Sequence, residues 1–558
     1  MKPETKNCQN CKKDFTIEVE DFNFYEKIKV PAPTWCPDCR QQRRYAWRNE
    51  RTLYRRNCDL CGKSKVSVIS PNKPYKVYCN ECWWGDGWNP EEYGQDFDFN
   101  RPFFEQFAEL LKKVPRQILL MKNCVNSDYT HHSIDNKNCY YSFSIFVSEN
   151  VLYSTNIYNN MRDSCDCYHA TDGSNERHYE CIDIFNSYQC QYSFFLRDCS
   201  SCYYCYDLRN CSDCFLSTNL RSKSYVFLNQ QYNREEYQKK IKEYNLGSRE
   251  VREKLYKEFM NLLKKDSINK FAFIQQAPNC TGNFIANSKN SHNVFDANDL
   301  ENCKNMYIGL DTKDSADCYH IGFKTELAYE IHAIIRSYNV LFSNLSYDNR
   351  NIEYCDSCHN SADIFGCVGI KNGSYAIFNK RHSKEEYFKL KEKIIEYMKK
   401  TGEYGEFFPF HLSPYGYNET QGQVYMPLTK EEATRSGFNW EDATTGIYGK
   451  ETINQTDVPD DINKVPDSIT KEILKCEDCT KNYNIIPQEL LFYKKEIVPV
   501  PRLCPDCRYK KRIALRLPRK LWYRKCMNEG CENKFETAYS PDRPEKVYCE
   551  DCYNKTLY

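Results

Sequence analysis

The strongest constraint on this 558-residue chain is a pattern of paired cysteines that occurs near both of its ends. Two Cys-x-x-Cys pairs stand 24 residues apart in each copy, namely Cys8, Cys11, Cys36 and Cys39 in one and Cys476, Cys479, Cys504 and Cys507 in the other. Four thiols in two short pairs are the usual ligand set of a tetrahedral structural zinc site. A spacing repeated to the residue indicates that the segment was duplicated.

A second set of cysteine pairs follows each of the first sets. The pairs are separated by 17 residues in both copies, and the cysteines are Cys58, Cys61, Cys79 and Cys82 in one and Cys526, Cys531, Cys549 and Cys552 in the other. We therefore expect about four structural zinc ions, two at each end of the chain. The spacing leaves open whether each metal site is formed by two consecutive pairs or by alternating pairs in a cross-braced arrangement.

The residues around the first set of each copy resemble a zinc-ribbon, treble-clef-like domain family of bacterial proteins. The family pattern is Cys-x-x-Cys, an aromatic residue, Phe-Tyr, Pro and Cys-Pro-x-Cys-Arg, and the N-terminal copy has Cys8, Cys11, Phe15, Phe24-Tyr25, Pro33 and Cys36 to Arg40 in that order. The resemblance covers about forty residues per copy. It implies zinc as the cofactor and a zinc-ribbon or treble-clef fold, and no specific activity.

The most basic sequence of the protein lies between the two cysteine sets of each copy. Residues 40–56 contain seven arginines and a single acid, Glu50, whereas residues 508–525 contain nine basic residues and no acid. Basic residues interleaved with aromatics suit nucleic acid. The alternative is that they neutralise the charge of −2 on each four-thiolate zinc centre. The candidate nucleic-acid contacts are Arg40, Arg43, Arg44, Arg48, Arg508, Lys510, Lys511, Arg512, Arg516, Arg519 and Lys520.

The middle of the chain is a polar repeat. Aromatic residues recur mostly 11 to 13 residues apart, and two such intervals predict a rung of roughly two dozen residues in a stacked solenoid. Residues 179–237 align with 329–387 at an offset of 150, and each run ends in a helix-capping sequence, at Asn233 and Ser383. We predict two parallel β-solenoid modules, each covered by a helix, in which Asn, Ser, Cys and aromatic residues form stacked ladders.

The remaining seventeen cysteines lie in this repeat. Groups such as Cys199/Cys202/Cys205, Cys211/Cys214 and Cys355/Cys358 have ligand spacing, but we interpret them as small buried apolar residues. A β-helix can also be a carbohydrate-active enzyme, and scattered aspartates are present. The chain lacks a Ser-His-Asp elbow, a phosphate-binding glycine loop and an HExxH motif, so we expect no catalytic residues.

Composition excludes some classes of protein. No apolar run approaches the ~20 residues of a membrane span, so we expect no membrane association. We predict a cytoplasmic location, because 33 cysteines without an apolar leader indicate reduced thiols and metal ligands. Sixteen thiolates and four divalent zinc ions would change the formal net charge from +1 to −7, which weighs against indiscriminate nucleic-acid binding.

The predicted fold is multi-domain and mainly β, a duplicated parallel β-solenoid with capping helices between paired four-cysteine zinc-ribbon or treble-clef units. The expected boundaries are 1–57 and 58–90 for the first two zinc domains, 91–122 for a helical bridge, 123–232 for the first solenoid, 233–272 for a helical cap, 273–382 for the second solenoid, 383–402 for a capping helix, 403–470 for an aromatic connector and flexible linker, and 471–525 and 526–558 for the last two zinc domains. The expected function is a non-catalytic zinc scaffold that binds RNA or DNA, with a protein-interaction scaffold as the alternative and a glycan-acting β-helix as the least favoured reading.

Overall fold

The computed structural model describes residues 2–158, 160–171, 173–443 and 446–557. Two large parallel sheets occupy the middle of the chain, and small cysteine-rich units stand at both ends. We call residues 121–231 the first β body and residues 274–381 the second β body. Residues 4–84 are the N-terminal Cys unit and residues 474–557 the C-terminal Cys unit.

Most strands of the β bodies pair in parallel with the segment that lies twelve residues further on, whereas the last strand of each body pairs antiparallel. Ile182 pairs with Phe194, and Phe194 pairs with Tyr206. The second β body has the same offset, since Ile352 pairs with Ile364. The expected rung of two dozen residues is therefore wrong, because one aromatic interval already forms a complete layer.

Each layer is built from triplets that contain one left-handed residue. In the stretch 141–154 the left-handed residues have φ between 47° and 55° and are Tyr141, Ser144, Val147, Asn150 and Tyr153. The residue after each is buried, and these residues are Ser142, Ile145, Ser148, Val151 and Ser154. L-residues rarely adopt this conformation, and Asn and Asp tolerate it best, which explains the Asn/Asp-rich composition. Four triplets make one twelve-residue layer, with four buried positions.

Polar ladders join successive layers, as the sequence predicts. In the second β body the amide of Asn339 donates to Asn351 at 3.0 Å, and the amide of Asn351 donates to Asp363 at 3.0 Å. Asp is a pure acceptor when ionised, so it can end such a run of amide donors. Buried serines link the layers as well, since the Ser154 hydroxyl accepts the backbone N–H of Cys167 at 3.0 Å.

The main sheet of the first β body has eleven strands and that of the second has twelve in the described part of the chain. The first sheet consists of Met121–Lys122, Ser133–Ile134, Phe143–Phe146, Thr155–Tyr158, Tyr168–Thr171, Ile182–Phe185, Phe194–Arg197, Ser200–Arg209, Ser212–Thr218, Ser224–Phe227 and Gln230–Gln231. A three-stranded sheet beside it consists of Glu149–Leu152, Met161–Cys165 and Asn175–Glu176. The second main sheet consists of Ile274–Gln275, Cys280–Ala286, Ser291–Glu301, Lys304–Lys313, Ala316–Gly322, Thr325–Ile335, Tyr338–Leu341, Asn344–Tyr347, Arg350–Glu353, Ala362–Phe365, Ser374–Ile377 and Lys380–Arg381.

Twelve α-helices accompany these sheets within the described residues: Val19–Lys27, Pro37–Tyr45, Asn80–Trp84, Phe103–Lys113, Arg234–Lys242, Arg249–Lys265, Lys384–Thr401, Gln421–Tyr425, Lys430–Arg435, Pro487–Glu496, Pro505–Ile513 and Glu550–Leu557. The side chains of Asn233 and Ser383 accept the backbone N–H of Glu236 and Glu386, as expected for helix caps. In the described part of the chain no helix is both long and apolar enough to cross a membrane.

Residues 458–469 are packed, although most of them fall in a segment where a flexible linker was expected. Val458, Ile462, Val465 and Ile469 are each at most 3% exposed and join the apolar core of the C-terminal Cys unit. These residues recur every three or four positions and belong to the same apolar cluster. The abundance of Thr, Asp and Pro around them hides this pattern in the sequence.

Each Cys unit docks on the β body that is farther from it in the sequence. The helix Pro37–Tyr45 of the N-terminal Cys unit docks on the second β body, through ion pairs to Asp317 and Glu330. The equivalent helix Pro505–Ile513 docks on the first β body, through Asp166 and Glu180. Two short parallel strand pairs also connect the Cys units with the segments that precede the β bodies. Val77–Tyr78 pairs with Arg116–Gln117, and Lys546–Tyr548 pairs with Ile268–Lys270.

Candidate metal centres and arginine-carboxylate interfaces

The sixteen predicted cysteine ligands meet in four groups of four. Within each group every sulfur lies within 4.8 Å of the others, and the groups are Cys8/Cys11/Cys36/Cys39, Cys58/Cys61/Cys79/Cys82, Cys476/Cys479/Cys504/Cys507 and Cys526/Cys531/Cys549/Cys552. The pairs therefore combine in sequence order, which the spacing alone left open. These are the groups of three or more potential ligands found among the described residues.

Local backbone structure explains how each group forms. The upstream pair sits in the turn of a hairpin, and the hairpins are Glu4–Asn7 with Asp14–Ile17, Tyr54–Asn57 with Ser64–Ser67, Leu474–Lys475 with Asn482–Tyr483, and Trp522–Lys525 with Lys534–Thr537. The downstream pair begins a helix, since Cys36, Cys79 and Cys504 are helix N-caps and Cys549 precedes Glu550–Leu557. A hairpin turn facing a helix N-terminus is the arrangement expected of a treble clef.

One hydrogen bond recurs in all four groups. The backbone N–H of the third cysteine donates to the sulfur of the first, at 3.2 Å for Cys36 to Cys8 and 3.3 Å for Cys549 to Cys526. Burial works to raise the pKa of Cys8, but this and other N–H donors outweigh it and lower the pKa to about 7. The backbone is thus arranged to favour a thiolate.

The geometry of the groups suits a tetrahedral metal ion. Four ligands at about 2.3 Å from a zinc ion stand about 3.8 Å from one another. Sulfurs of neighbouring pairs are separated by 3.7 Å between Cys11 and Cys36 and by 3.6 Å between Cys479 and Cys504. Each group could hold one metal ion, which matches the expected number of four. Four protein ligands leave no coordination position for a substrate.

Cysteines of the β bodies do not form such a group in the described part of the chain. The thiols of Cys202 and Cys205 donate to the carbonyl oxygens of Ser200 and Tyr203, at 3.3 and 3.4 Å. Burial raises the pKa of Cys355 well above its ordinary value. Cys202, Cys205 and Cys355 are fully buried, in line with the interpretation as small core residues.

Most of the predicted nucleic-acid contacts in the N-terminal copy are buried in ion pairs with the second β body. Arg40 lies 2.7 Å from Asp317, Arg43 lies 3.1 Å from Glu330, and Arg44 lies 2.6 Å from the other oxygen of Glu330. The three arginine side chains are at most 4% exposed, and Glu330 is fully buried. Burial works to lower the pKa of Arg40, but Asp317 raises it well above its ordinary value.

The C-terminal copy repeats this arrangement on the first β body. Arg508 lies 2.9 Å from Asp166, and Arg512 bridges Asp166 and Glu180 at 2.8 Å each. Both arginines are at most 3% exposed. Glu180 and Glu330 are 150 residues apart, so the duplicated β bodies offer equivalent acids to the duplicated helices.

Two further arginines of the predicted set lie between the β bodies. Arg516 pairs with Asp183 of the first body at 3.0 Å and with Asp296 of the second at 2.6 Å. Arg519 adds a pair with Asp296 at 2.8 Å. Burial works to raise the pKa of Asp296, but these two guanidinium groups lower it far below its ordinary value.

Arg48 occupies the equivalent place in the N-terminal copy, where it pairs with Glu50 at 2.6 Å. Its guanidinium also lies 3.2 Å from His332 and 3.5 Å from both His132 and His320. Burial lowers the pKa of all three imidazoles well below the ordinary value, so they are neutral partners of the arginine. Sequence reasoning missed this cluster; the twelve-residue spacing of His320 and His332 was the available signal.

The remaining three candidates are lysines on the surface. Lys510, Lys511 and Lys520 are exposed. Lys511 lies 3.2 Å from Asp478, in a pair that is open to solvent, and Lys520 lies 5.4 Å from the ring centre of Trp522. The structure thus divides the predicted basic set into eight arginines buried in ion pairs and three exposed lysines.

Four of the aspartates that could serve a glycan-acting site already pair with arginine side chains. Asp183 and Asp317 are fully or almost fully buried and pair with arginines of the Cys units. Asp207 accepts hydrogen bonds from Arg221 and Tyr553, and Asp356 lies 2.8 Å from Arg116. These four aspartates are therefore engaged by arginine side chains.

Comparisons with known proteins find little. No family model matches the chain, and no curated protein matches it. Among the solved structures that match is a "putative acetyltransferase" from Desulfovibrio desulfuricans G20, with 11% identity over 48% of this chain and 71% of that one. Its TM-score of 0.10 is too low to carry an argument about fold or activity.

Proposed function

We propose that this protein is a non-catalytic scaffold, in which four structural zinc ions hold two Cys units against a pair of narrow parallel β-solenoids. The twelve-residue pairing offset and the triplet pattern support the solenoid interpretation of each β body. The observation that carries the proposal is that the basic helices bind the protein's own β bodies. Eight of the eleven predicted basic residues act inside the protein, as the contacts that dock the Cys units.

Zinc is the metal that this donor set favours. Four thiolates in a tetrahedral arrangement select zinc or iron, and the short hairpin-and-helix units are typical of structural zinc domains. Each ion would carry four thiolates and a net charge of −2, and the helix that begins at its downstream cysteines would place that charge at a favourable helix N-terminus. The metal would fix the helix that presents the docking arginines.

Purified protein is expected to contain about four zinc ions per chain by elemental analysis. Cys504→Ser should lower the content to about three, because it removes a ligand from one group. Cys205→Ser is the matched control, since it changes a buried thiol of the first β body, and it should leave the content at four. A content of two or fewer in the unaltered protein would contradict the proposed number of sites.

A protein partner is the class that this scaffold favours, because most of the basic residues that suited nucleic acid are buried in ion pairs with the protein's own β bodies. A nuclease-treated pull-down separates this class from nucleic acid. Partners that persist after nuclease treatment support the protein scaffold, and partners that disappear with the nucleic acid argue against it.

Nucleic acid is the second candidate partner, favoured by exposed basic and aromatic residues of the C-terminal Cys unit. Lys510, Lys511 and Lys520 are exposed, and Tyr523 of the same unit is 77% exposed. Exposed cations and an open aromatic ring suit single strands, whose bases stack on aromatic rings while the phosphates contact cations.

Replacing Lys510, Lys511 and Lys520 together by glutamine is expected to weaken binding of a short single-stranded RNA. The slope of log affinity against log salt should fall by about 2, since each phosphate contact contributes roughly 0.7 for single strands. Fluorescence anisotropy across a salt series measures both quantities. The control replaces Lys239, Lys242 and Lys257, exposed lysines of the helical segment, and should change neither. Salt-independent binding by the unaltered protein would exclude this candidate.

A further inference from the structure

A cavity of about 490 Å³ lies between the two β bodies, beside the C-terminal helix. Its size is within the range of small-molecule sites. The walls combine stacked phenylalanines with an unusual concentration of cations. The cations that line it are Arg197, Arg209, Arg221 and Lys270, and the acids that line it are Asp207, Asp296 and Glu550.

Three of the cations form a ladder. Arg197 pairs in register with Arg209, and Arg209 pairs with Arg221, each twelve residues further along the first β body. Paired strands are about 4.8 Å apart, so three guanidinium side chains leave the sheet from directly stacked positions. Like charges in such positions destabilise a sheet.

The described acids that line the cavity do not provide a partner for every cation. Arg221 pairs with Asp207 at 3.0 Å and Lys270 pairs with Glu550 at 2.7 Å, whereas Asp296 is already held by Arg516 and Arg519. Arg197 is also engaged by a further interaction. The side chain of Arg209, the middle rung, has no hydrogen bond or salt bridge with the described residues, although its backbone is paired within the sheet. The cavity therefore keeps an excess of positive charge at the centre of the ladder.

The duplicated β body provides an internal comparison. At the offset of 150 the three arginines correspond to Tyr347, His359 and Lys371, which form the same stacked column in the second body. A cavity of about 330 Å³ lies there too, lined by Tyr347 and His359. The fold therefore does not require arginines in this column. Because repulsion among three stacked arginines destabilises the sheet, their presence in the first β body points to a role in binding.

We propose that the cavity between the β bodies binds a small polyphosphate anion through the stacked guanidinium groups of Arg197, Arg209 and Arg221. Arginine presents several N–H donors in a planar fork that matches phosphate oxygens. Rungs at regular spacing can contact successive phosphate groups of one chain. Lys270, at the edge of the same cavity, adds a fourth cation.

The anion could be a nucleotide or an inorganic phosphate chain, and the aromatic wall of the cavity would contact only the nucleotide. The rings of Phe195, Phe273 and Phe284 stack on one another at centroid distances of 4.8 to 5.2 Å. Such a wall would contact the base of a nucleotide, whereas an inorganic chain would use the arginines alone. Both sources share the phosphate chemistry that the ladder recognises.

Isothermal titration of the full-length protein with inorganic tripolyphosphate and with ATP tests this proposal. We expect saturable binding of at least one probe at one site per chain. Tighter binding of ATP, reduced to the tripolyphosphate level by Phe284→Leu, would identify a nucleotide, and equal binding would identify the phosphate chain as the whole determinant. The absence of saturable binding by both probes would overturn the proposal.

Arg209→Gln is the decisive variant. It should weaken binding about tenfold or more, because it removes a charge-assisted contact. Without ligand it should unfold at the same or a higher temperature than the unaltered protein, since it relieves repulsion in the ladder. Arg350→Gln, an exposed arginine of the second β body, is the control and should leave affinity unchanged. Equal affinity of the Arg209 variant and the unaltered protein, or equal loss in both variants, would overturn the site.

Discussion

Removal of the metal ions by a chelator is expected to unfold both Cys units and to loosen their attachment to the β bodies. Structural zinc contributes apparent free energies of about 10–16 kcal/mol in small domains, because the binding energy of the metal is also folding energy. The hairpins and helices around the four cysteine groups are short, and their apolar residues pack in clusters shared with other parts of the chain. Without metal, the helices that carry the docking arginines would lose the constraint that fixes their first turn.

Tryptophan fluorescence gives a direct measurement of this effect. Five of the seven tryptophans lie in residues 1–90, and Trp47 and Trp83 are fully buried. Chelation should shift their emission to longer wavelength, and added zinc should reverse the shift. An emission spectrum that stays unchanged while the metal is shown to be lost would contradict a structural role.

Glu330→Ala is expected to lower the free energy of unfolding by about 3–5 kcal/mol, the usual cost of removing one partner from a buried ion pair. Arg40, Arg43 and Arg44 all lie within 3.5 Å of this carboxylate. Asp317 and Glu406 would remain as partners, but they would leave one positive charge poorly compensated in a buried place. Chemical denaturation followed by circular dichroism measures the change.

Asp348→Ala is the matched control for this prediction. Asp348 pairs with Arg336 at 2.5 Å in the same β body, but the arginine side chain is 41% exposed. Exposed ion pairs contribute at most about 1 kcal/mol, so the control should change stability little. A loss of similar size in both variants would show that the buried arginine cluster does not hold the Cys unit in place.

The metal ligands could be predicted from sequence because their signal is short-range and chemically narrow. Cys36 and Cys39 are separated by only two residues, and few structures other than a metal site use such pairs in repeated register. The helices that begin at these cysteines follow from the same motif. The partners of the arginines could not be predicted, because Asp317 and Glu330 lie far away in the chain and look like ordinary turn acids.

The predicted length of a layer was wrong because the pattern that sets it is hidden by the composition. Aromatic residues are conspicuous, so pairs of aromatic intervals suggested a rung of two dozen residues. The decisive pattern is a triplet in which a left-handed residue such as Asn150 precedes a buried residue such as Val151. The left-handed position is also filled by Tyr, Ser and Val, which do not ordinarily mark such a backbone, so composition conceals the period.

The crossed docking has a consequence for synthesis on the ribosome. The helix Pro37–Tyr45 leaves the ribosome long before its acceptor Glu330 is made, and at about 5–20 residues per second the delay is roughly 15 to 60 seconds. During that interval Arg44 and its neighbours have no carboxylates to contact, and the first β body lacks the C-terminal Cys unit. The first β body likewise waits for Arg508 and Arg512, which are translated more than 300 residues after their acceptors Asp166 and Glu180.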